Sequence, residues 1–284
     1  MKFAFIERHR DAFSIVQMCE ILRVSNSGFY AWLEREPGRR EQENRCLTEQ
    51  IRVLHQRSRQ TYGSPRIHAD LQEMGQGISR KRVARLMREA GIQARRKQGY
   101  KVTTKRNEAH TAVPNLLAQD FRAETVNETW LADITYIDTQ EGWLYLAAIL
   151  DVYSRKIVGW SMSTHLQKQL VEDALKMAVG QRDIPQGLRH HSDQGSQYTS
   201  YAFLKLLAQH DIQVSMSGAG NCYDNAMMES FFATLKTECV TASFQTRQQA
   251  RQMIFEYIEV WYNRHRRHSA LGYLSPEQYE QQVA

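Results

Sequence analysis

The sequence predicts an α/β protein: a mixed five-stranded sheet with covering helices, preceded by an all-α, basic region. Three observations carry this prediction. The apolar period is helical up to about residue 90, then switches at Trp130 to the alternation of strands. Charge divides along the same line, with 23 Lys+Arg against 12 Asp+Glu in residues 1–110 and 14 against 19 in residues 111–284. From Trp130 onward, three strand-like segments run in succession and then strands alternate with helices. At 284 residues the chain has room for about two domains.

The elements follow in order. In AFSIVQMCEILRVSNSGFYAWLERE, residues 12–36, Phe13, Val16, Ile21 and Leu22 have helix-like apolar spacing. Ser25 is a good N-cap for a second helix carrying Phe29, Tyr30, Trp32 and Leu33. Two short helices joined by a tight turn match a helix-turn-helix, and equally an ordinary helical hairpin. LTEQIRVLHQRS is a third, amphipathic helix, and Ser64 followed by Pro65 starts a fourth. ISRKRVARLMREAG is a fifth, capped by Ser79 and ended by Gly91. Its polar face carries Arg80, Lys81, Arg82, Arg85 and Arg88, while Val83, Leu86 and Met87 point inward. Five crowded cations repel one another unless a polyanion neutralises them, which makes this helix a candidate for phosphate contact. Residues 95–106 add a basic, poorly periodic run, either an arm on a polyanion or a linker.

WLADITYIDT and WLYLAAILD are strands joined at Glu141-Gly142, and RKIVGWSMST is a third. The second, almost continuously apolar, is expected to be buried on both faces. LQKQLVEDALKMAVG is a helix, GLRHHSD a fourth strand, SYAFLKLLAQH a helix and IQVSMS a fifth strand. Three antiparallel strands, then helix, strand, helix, strand and further helices, is the element order of the ribonuclease-H-like α/β fold.

Composition excludes other classes. The longest apolar run, Trp143 to Leu150, has eight residues, against the roughly 20 a membrane span needs. MKFAFIERHR offers no apolar signal core, and the four cysteines (Cys19, Cys46, Cys222, Cys239) form no CxxC pair. A reduced, cytoplasmic setting is expected.

Asp193 ends the fourth strand just before Gln194-Gly195, so it is either a turn-former or a ligand displayed at a strand end. Asp133 lies within the first strand, which in a ribonuclease-H-like sheet neighbours the fourth. Glu229 follows Asp224 and Asn225, which can cap its helix, and Lys236 stands two turns further, roughly 10.5 Å along the same face. Breaking a phosphodiester requires an activated oxygen nucleophile and charge neutralisation on phosphate and leaving group. Two Mg²⁺ ions roughly 3.5–4 Å apart do both, and they take oxygen ligands such as these carboxylates. Mn²⁺ is an expected substitute. Asp138, Asp151 and Asp224 are read instead as turn, salt-bridge or cap residues. His190 and His191 are assigned packing or supporting roles. Trp261 and Tyr262 are expected to pack, whereas Arg264, Arg266 and Arg267 of the NRHRRH run are assigned to DNA.

WLADITYI with Asp133, HSDQGSQY with Asp193 and NAMMES with Glu229 resemble the DDE signature of integrase-like transposases of bacterial insertion sequences. The 35 residues between Asp193 and Glu229 match the DD(35)E spacing, and Lys236 matches a basic position of that class. YGSPRI, NLLAQDF, DVYSRKIVGW and YNRHRRHSALGYLSPEQY extend the resemblance nearly end to end, to the second-reading-frame protein of the insertion-sequence-three family. It implies binding to terminal inverted repeats, cleavage of one strand to free a 3′-OH, attack on a second phosphodiester, and a branched, then circular, intermediate. It also implies homo-oligomers on double-stranded DNA and a frameshift fusion to a small upstream protein with its own helix-turn-helix and leucine zipper. The start at Met1 without sustained heptads fits the second-frame product alone. The expected divisions are a helix-turn-helix over 1–45, a second helical DNA-binding domain over 46–98, a basic linker over 99–125 and an integrase-type core with C-terminal helices over 126–284. A non-catalytic DNA-binding regulator and a ribonuclease-H-like nuclease are the alternatives.

Overall fold

The computed structural model describes residues 1–36, 38–95, 114–117, 121–217 and 225–282. Most of the basic run over 95–106 and of the expected linker over 99–125 lies outside these residues, as do Cys222 and Asp224. The chain divides into two compact units, Met1–Val53 and Leu54–Ala284. The second contains the helices that follow residue 54 together with the sheet, a different division from the four segments expected.

The first unit holds α1 (Lys2–His9), α2 (Ile15–Leu22) and α3 (Asn26–Leu33), and α4 (Arg39–Arg57) crosses the division. Its core is Ile6, Met18, Cys19 and Phe29, with Ile15 and Leu22 packed alongside. The expected apolar face was the wrong one: Phe13, Val16 and Ile21 are exposed. Ile15, Met18, Cys19 and Leu22, at i, i+3, i+4 and i+7, form the true stripe, which packs with a residue of the unanticipated α1. Ser25 caps α3 as expected, accepting the Gly28 N–H at 3.0 Å.

In the second unit, α5 (Ser64–Glu73) begins one residue early, with Gly63 rather than Ser64 at the cap, and α6 (Arg80–Glu89) is capped by the Ser79 side chain. Val83, Leu86 and Met87 are buried and Gly91 takes the left-handed conformation just past the helix end. The sheet contains β1 (Thr129–Ile137), β2 (Leu144–Asp151), β3 (Ile157–Ser163), β4 (Arg189–Ser192) and β5 (Gln213–Met216) in the order β3-β2-β1-β4-β5. The first three pair antiparallel, while β4 pairs parallel with β1 and with β5. Parallel pairing requires crossovers, supplied by α7 (Lys168–Gln181) and α8 (Tyr201–Gln209).

One face of the sheet, with Trp130, Ala132, Ala147, Ile149 and Val158, packs with Leu170, Ala174 and Ala178 of α7 and Phe203 and Leu207 of α8. Gly159 is required here, because a Cβ would run into the Ala174 carbonyl oxygen and the Ala178 backbone. The chain then forms α9 (Ala226–Glu238), α10 (Arg247–Phe255), a seven-residue π-helical stretch (Glu256–Tyr262) and α11 (Pro276–Gln281). The π stretch buries Tyr257, Ile258, Trp261 and Tyr262, as expected of the last two. Asn263, just beyond it, behaves as an extra strand residue: its Oδ1 accepts the Ile157 N–H and its Nδ2 donates to the Ile157 carbonyl, both at 2.9 Å. No described helix is long and apolar enough to cross a membrane.

Candidate active site

Side chains alternate across a strand, so Trp130 and Ala132 point to the α7 and α8 layer while Leu131 and Asp133 point to the opposite face. On β4, His190 packs its ring against Phe203 of α8, so His191 belongs to the opposite face. Leu131 pairs with His191 in parallel register. Continuing that register by two residues sets Asp193, at the end of β4, beside Asp133 on the same face. The turn-forming role is seen directly, since the Asp193 Oδ1 accepts the Gly195 N–H at 3.0 Å. Gly195 allows this close approach, because a Cβ would lie 2.9 Å from that oxygen.

The third carboxylate arrives on α9. Asn225 does not cap the helix with its side chain; its Nδ2 donates to the Ala132 carbonyl at 3.2 Å and ties the helix start to β1. Its Oδ1 is buried without a partner among the described residues. Glu229, in the first turn, follows one turn later.

The electrostatics report proximity. Burial, then the charge of Asp193 and less so that of Glu229, push the Asp133 carboxyl up to about 7, against the Ile134 N–H and Lys236, which pull it down. Burial raises Asp193, opposed by the Gly195 N–H, and burial also raises Glu229. Lys236 is lowered by burial and held up by Asp133, so it stands within the field of the carboxylates. Among the described residues no three His, Cys, Asp or Glu side chains are gathered tightly enough to hold an ion unaided. Mg²⁺ usually takes one or two carboxylates and completes its shell with water and substrate phosphate. An all-oxygen set of mutually repelling carboxylates fits that habit.

Two families described as integrase core domain match residues 123–222 and 210–276, and one described as HTH-like domain matches residues 41–100. The transposase InsF for insertion sequence IS3A of Escherichia coli (strain K12) is 43% identical over 283 residues, covering 99% of this chain and 98% of that protein. The chain belongs to the IS3 family of insertion-sequence transposases. The insertion element IS600 uncharacterized 31 kDa protein of Shigella sonnei is 45% identical over 272 residues, covering 94% of this transposase and all of that protein. Among solved structures, the catalytic core domain of BIV integrase is 14% identical with a TM-score of 0.43, covering 55% of this chain and 95% of that one.

The transposase places its predicted DNA contacts unequally. Arg80, Lys81, Arg85 and Arg88 of α6 are exposed and Arg82 is half-buried. Arg85 leans only loosely toward Glu89, at 3.9 Å. Arg264 is exposed beside Glu277. Arg266 and Arg267 are corrections to the sequence reading. Arg266 is buried and donates three hydrogen bonds of 2.8–3.0 Å to Glu238, the last residue of α9. Arg267 is buried between Asp70 and Glu73 of α5. A run of alternating His and Arg reads as a polyanion site only while its acidic partners, some 200 residues away for Arg267, are unknown.

Glu238 is the functional residue the sequence reading missed. It also accepts from Tyr257 Oη at 3.0 Å and Trp261 Nε1 at 3.3 Å, so it anchors the far end of the helix that carries Glu229. Its only local signal is a carboxylate nine residues beyond Glu229 on a largely apolar helix. Asp151, read as structural, is buried and accepts from the Asn127 and Ser154 N–H groups. His190 is fully buried, as packing predicts.

Proposed function

We propose that this transposase cleaves and joins DNA at the ends of its own element, with Asp133, Asp193 and Glu229 as catalytic and metal-holding residues. The observation that supports the reading is the β1–β4 pairing, with Leu131 opposite His191 two residues before Asp133 and Asp193, together with the Asn225 tether of the Glu229 helix to β1. Two bound Mg²⁺ ions, or Mn²⁺ in their place, would activate the attacking oxygen and neutralise the phosphate and leaving group. Asp133, whose carboxyl is raised by the charges of both Asp193 and Glu229, would hold the ions together with them. Asp193 is held by its own turn and Glu229 by the Asn225 tether, so both present oxygens from pre-set backbone positions. Lys236 balances charge where a scissile phosphodiester would lie.

Arg80, Lys81, Arg82, Arg85 and Arg88 would grip the terminal-repeat backbone and Arg264 would add a contact near the core. Residues 1–45 and 46–98 act as the DNA-reading segments, 99–125 as the linker and 126–284 as the catalytic core. The active form is a homo-oligomer on double-stranded DNA, joined by an upstream-frame partner, in the cytoplasm at the nucleoid.

The test incubates purified protein with a plasmid carrying the flanking terminal repeats, with Mg²⁺ or Mn²⁺, and maps nicks and joints by sequencing. Wild type should cleave and join. Asp133→Asn, Asp193→Asn and Glu229→Gln should each lose both activities while retaining DNA binding. Cleavage without joining would point to a nuclease. DNA binding with no metal-dependent chemistry would point to a regulator.

A further inference from the structure

The arginines left over by the active site converge elsewhere. A cleft of about 310 Å³ lies beside α9, lined by Arg66, Arg95, Arg155 and Arg266, with Glu238 as the one carboxylate among its lining residues. Its α9 wall includes Ser230, Thr234 and Thr237. At about 100° per residue, Thr234 stands about 140° round the helix from Glu229 and Ser230 about 100°, so the cleft opens on a different side of α9 from Glu229 and Lys236.

The positive charge in the cleft is not neutralised from within. Glu238 is committed to Arg266. Arg66 rests over the Tyr62 ring, 5.3 Å from its centroid, and neither Arg66 nor Arg155 forms an ion pair among the described residues. Arg95 stands exposed at the rim, with the Gln60 amide oxygen 3.5 Å from its guanidinium. Arg155 holds a left-handed backbone at φ 60°, a conformation an arginine rarely adopts. His268 lines the same cleft at 8% exposure, and its Nε2 is buried without a hydrogen-bond partner among the described residues. Burial and three of these arginines keep that imidazole neutral. Arg66 itself is lowered by burial and then by Arg266. Like charges gathered in a half-enclosed space, beside hydroxyls and an unsatisfied ring nitrogen, make a receptor for a tetrahedral oxyanion, which guanidinium forks match two oxygens at a time.

We propose that this cleft binds a phosphate group through Arg66, Arg155 and His268, and that the phosphate belongs to the backbone of a nucleic acid strand. The phosphate chemistry stands on the cleft alone; the choice of a nucleic acid source rests on the DNA reading above. The site would hold a strand against the back of the helix that presents Glu229.

Two arms test this on the full-length protein without divalent metal or cleavage, so it can fail while the catalytic reading stands. In the first, melting is followed in sodium phosphate against sodium chloride at equal ionic strength. Wild type should melt several degrees higher in phosphate. Arg66→Gln and Arg155→Asn, the latter tolerating the left-handed backbone, should lose that gain and melt no lower than wild type in chloride. Arg66→Lys keeps the charge and should retain part of the gain. In the second arm, fluorescence anisotropy follows binding to a labelled duplex across salt. Each neutralised arginine should reduce the salt slope by about one. A phosphate gain with an unchanged salt slope would assign the cleft to a free phosphate. No phosphate gain together with an unchanged slope would overturn the proposal, as would variants that merely destabilise the protein.

Discussion

Asp133 shows what burying a carboxylate among like charges costs a fold. A carboxylate sunk beside Asp193 and Glu229 is repelled by both, and among the described residues Lys236 and the Ile134 N–H offset this. Asp133→Asn keeps an acceptor for the Ile134 N–H and removes the charge. It should therefore raise the metal-free melting temperature near neutral pH, by about 2–4 °C per kcal/mol relieved. A lower melting temperature would sink the repulsion account. His190 carries the opposite dependence. Burial, reinforced by His191, pushes it down to about 3 from 6.5, and neither ring nitrogen has a hydrogen-bond partner among the described residues. The unfolded chain takes up a proton near pH 6.5 and the folded one only near 3. This contribution to stability is thus complete above pH 6.5 and is lost as pH falls toward 3. His190→Leu should flatten that acid limb and add about 1–3 kcal/mol by removing unsatisfied polar atoms, readable from urea unfolding at several pH values. An unchanged limb would show that another group governs it.

At the scale of elements, α9 is the helix on which the site depends, and it is held at both ends. Asn225 ties its start to β1, and Glu238 ties its end to Arg266, Tyr257 and Trp261. Removing one partner of a buried ion pair leaves the other uncompensated, at a cost of about 3–5 kcal/mol. Glu238→Gln and Arg266→Met should each lose about that much in denaturant unfolding, and the double variant clearly less than the sum. Simple additivity would mean that the pair is not coupled. The elements themselves were largely legible in the sequence. Alternation revealed the strands, caps at Ser25 and Ser79 set two helix starts, and the order of elements anticipated β1 beside β4. The buried stripe of α2 was misjudged, because two apolar faces compete in that helix and α1, which decides between them, was not foreseen.

Across the whole molecule, the charge asymmetry of the sequence survives folding on α6, whose exposed face keeps its cations, but not in the NRHRRH run, where two arginines turn inward. Arg82→Gln combined with Arg85→Gln should weaken duplex binding and lower its salt slope by about two. Unaltered binding would remove α6 from the DNA surface. Sequence by itself determined the fold class and the basic amphipathic α6, and it singled out the candidate carboxylates, because these rest on periodicity, capping and spacing within short segments. Only the tertiary structure decided which arginines remain available. Whether a guanidinium meets solvent or a buried carboxylate depends on residues far away in the chain, as with Arg267 and Asp70, and no local pattern records such a partner.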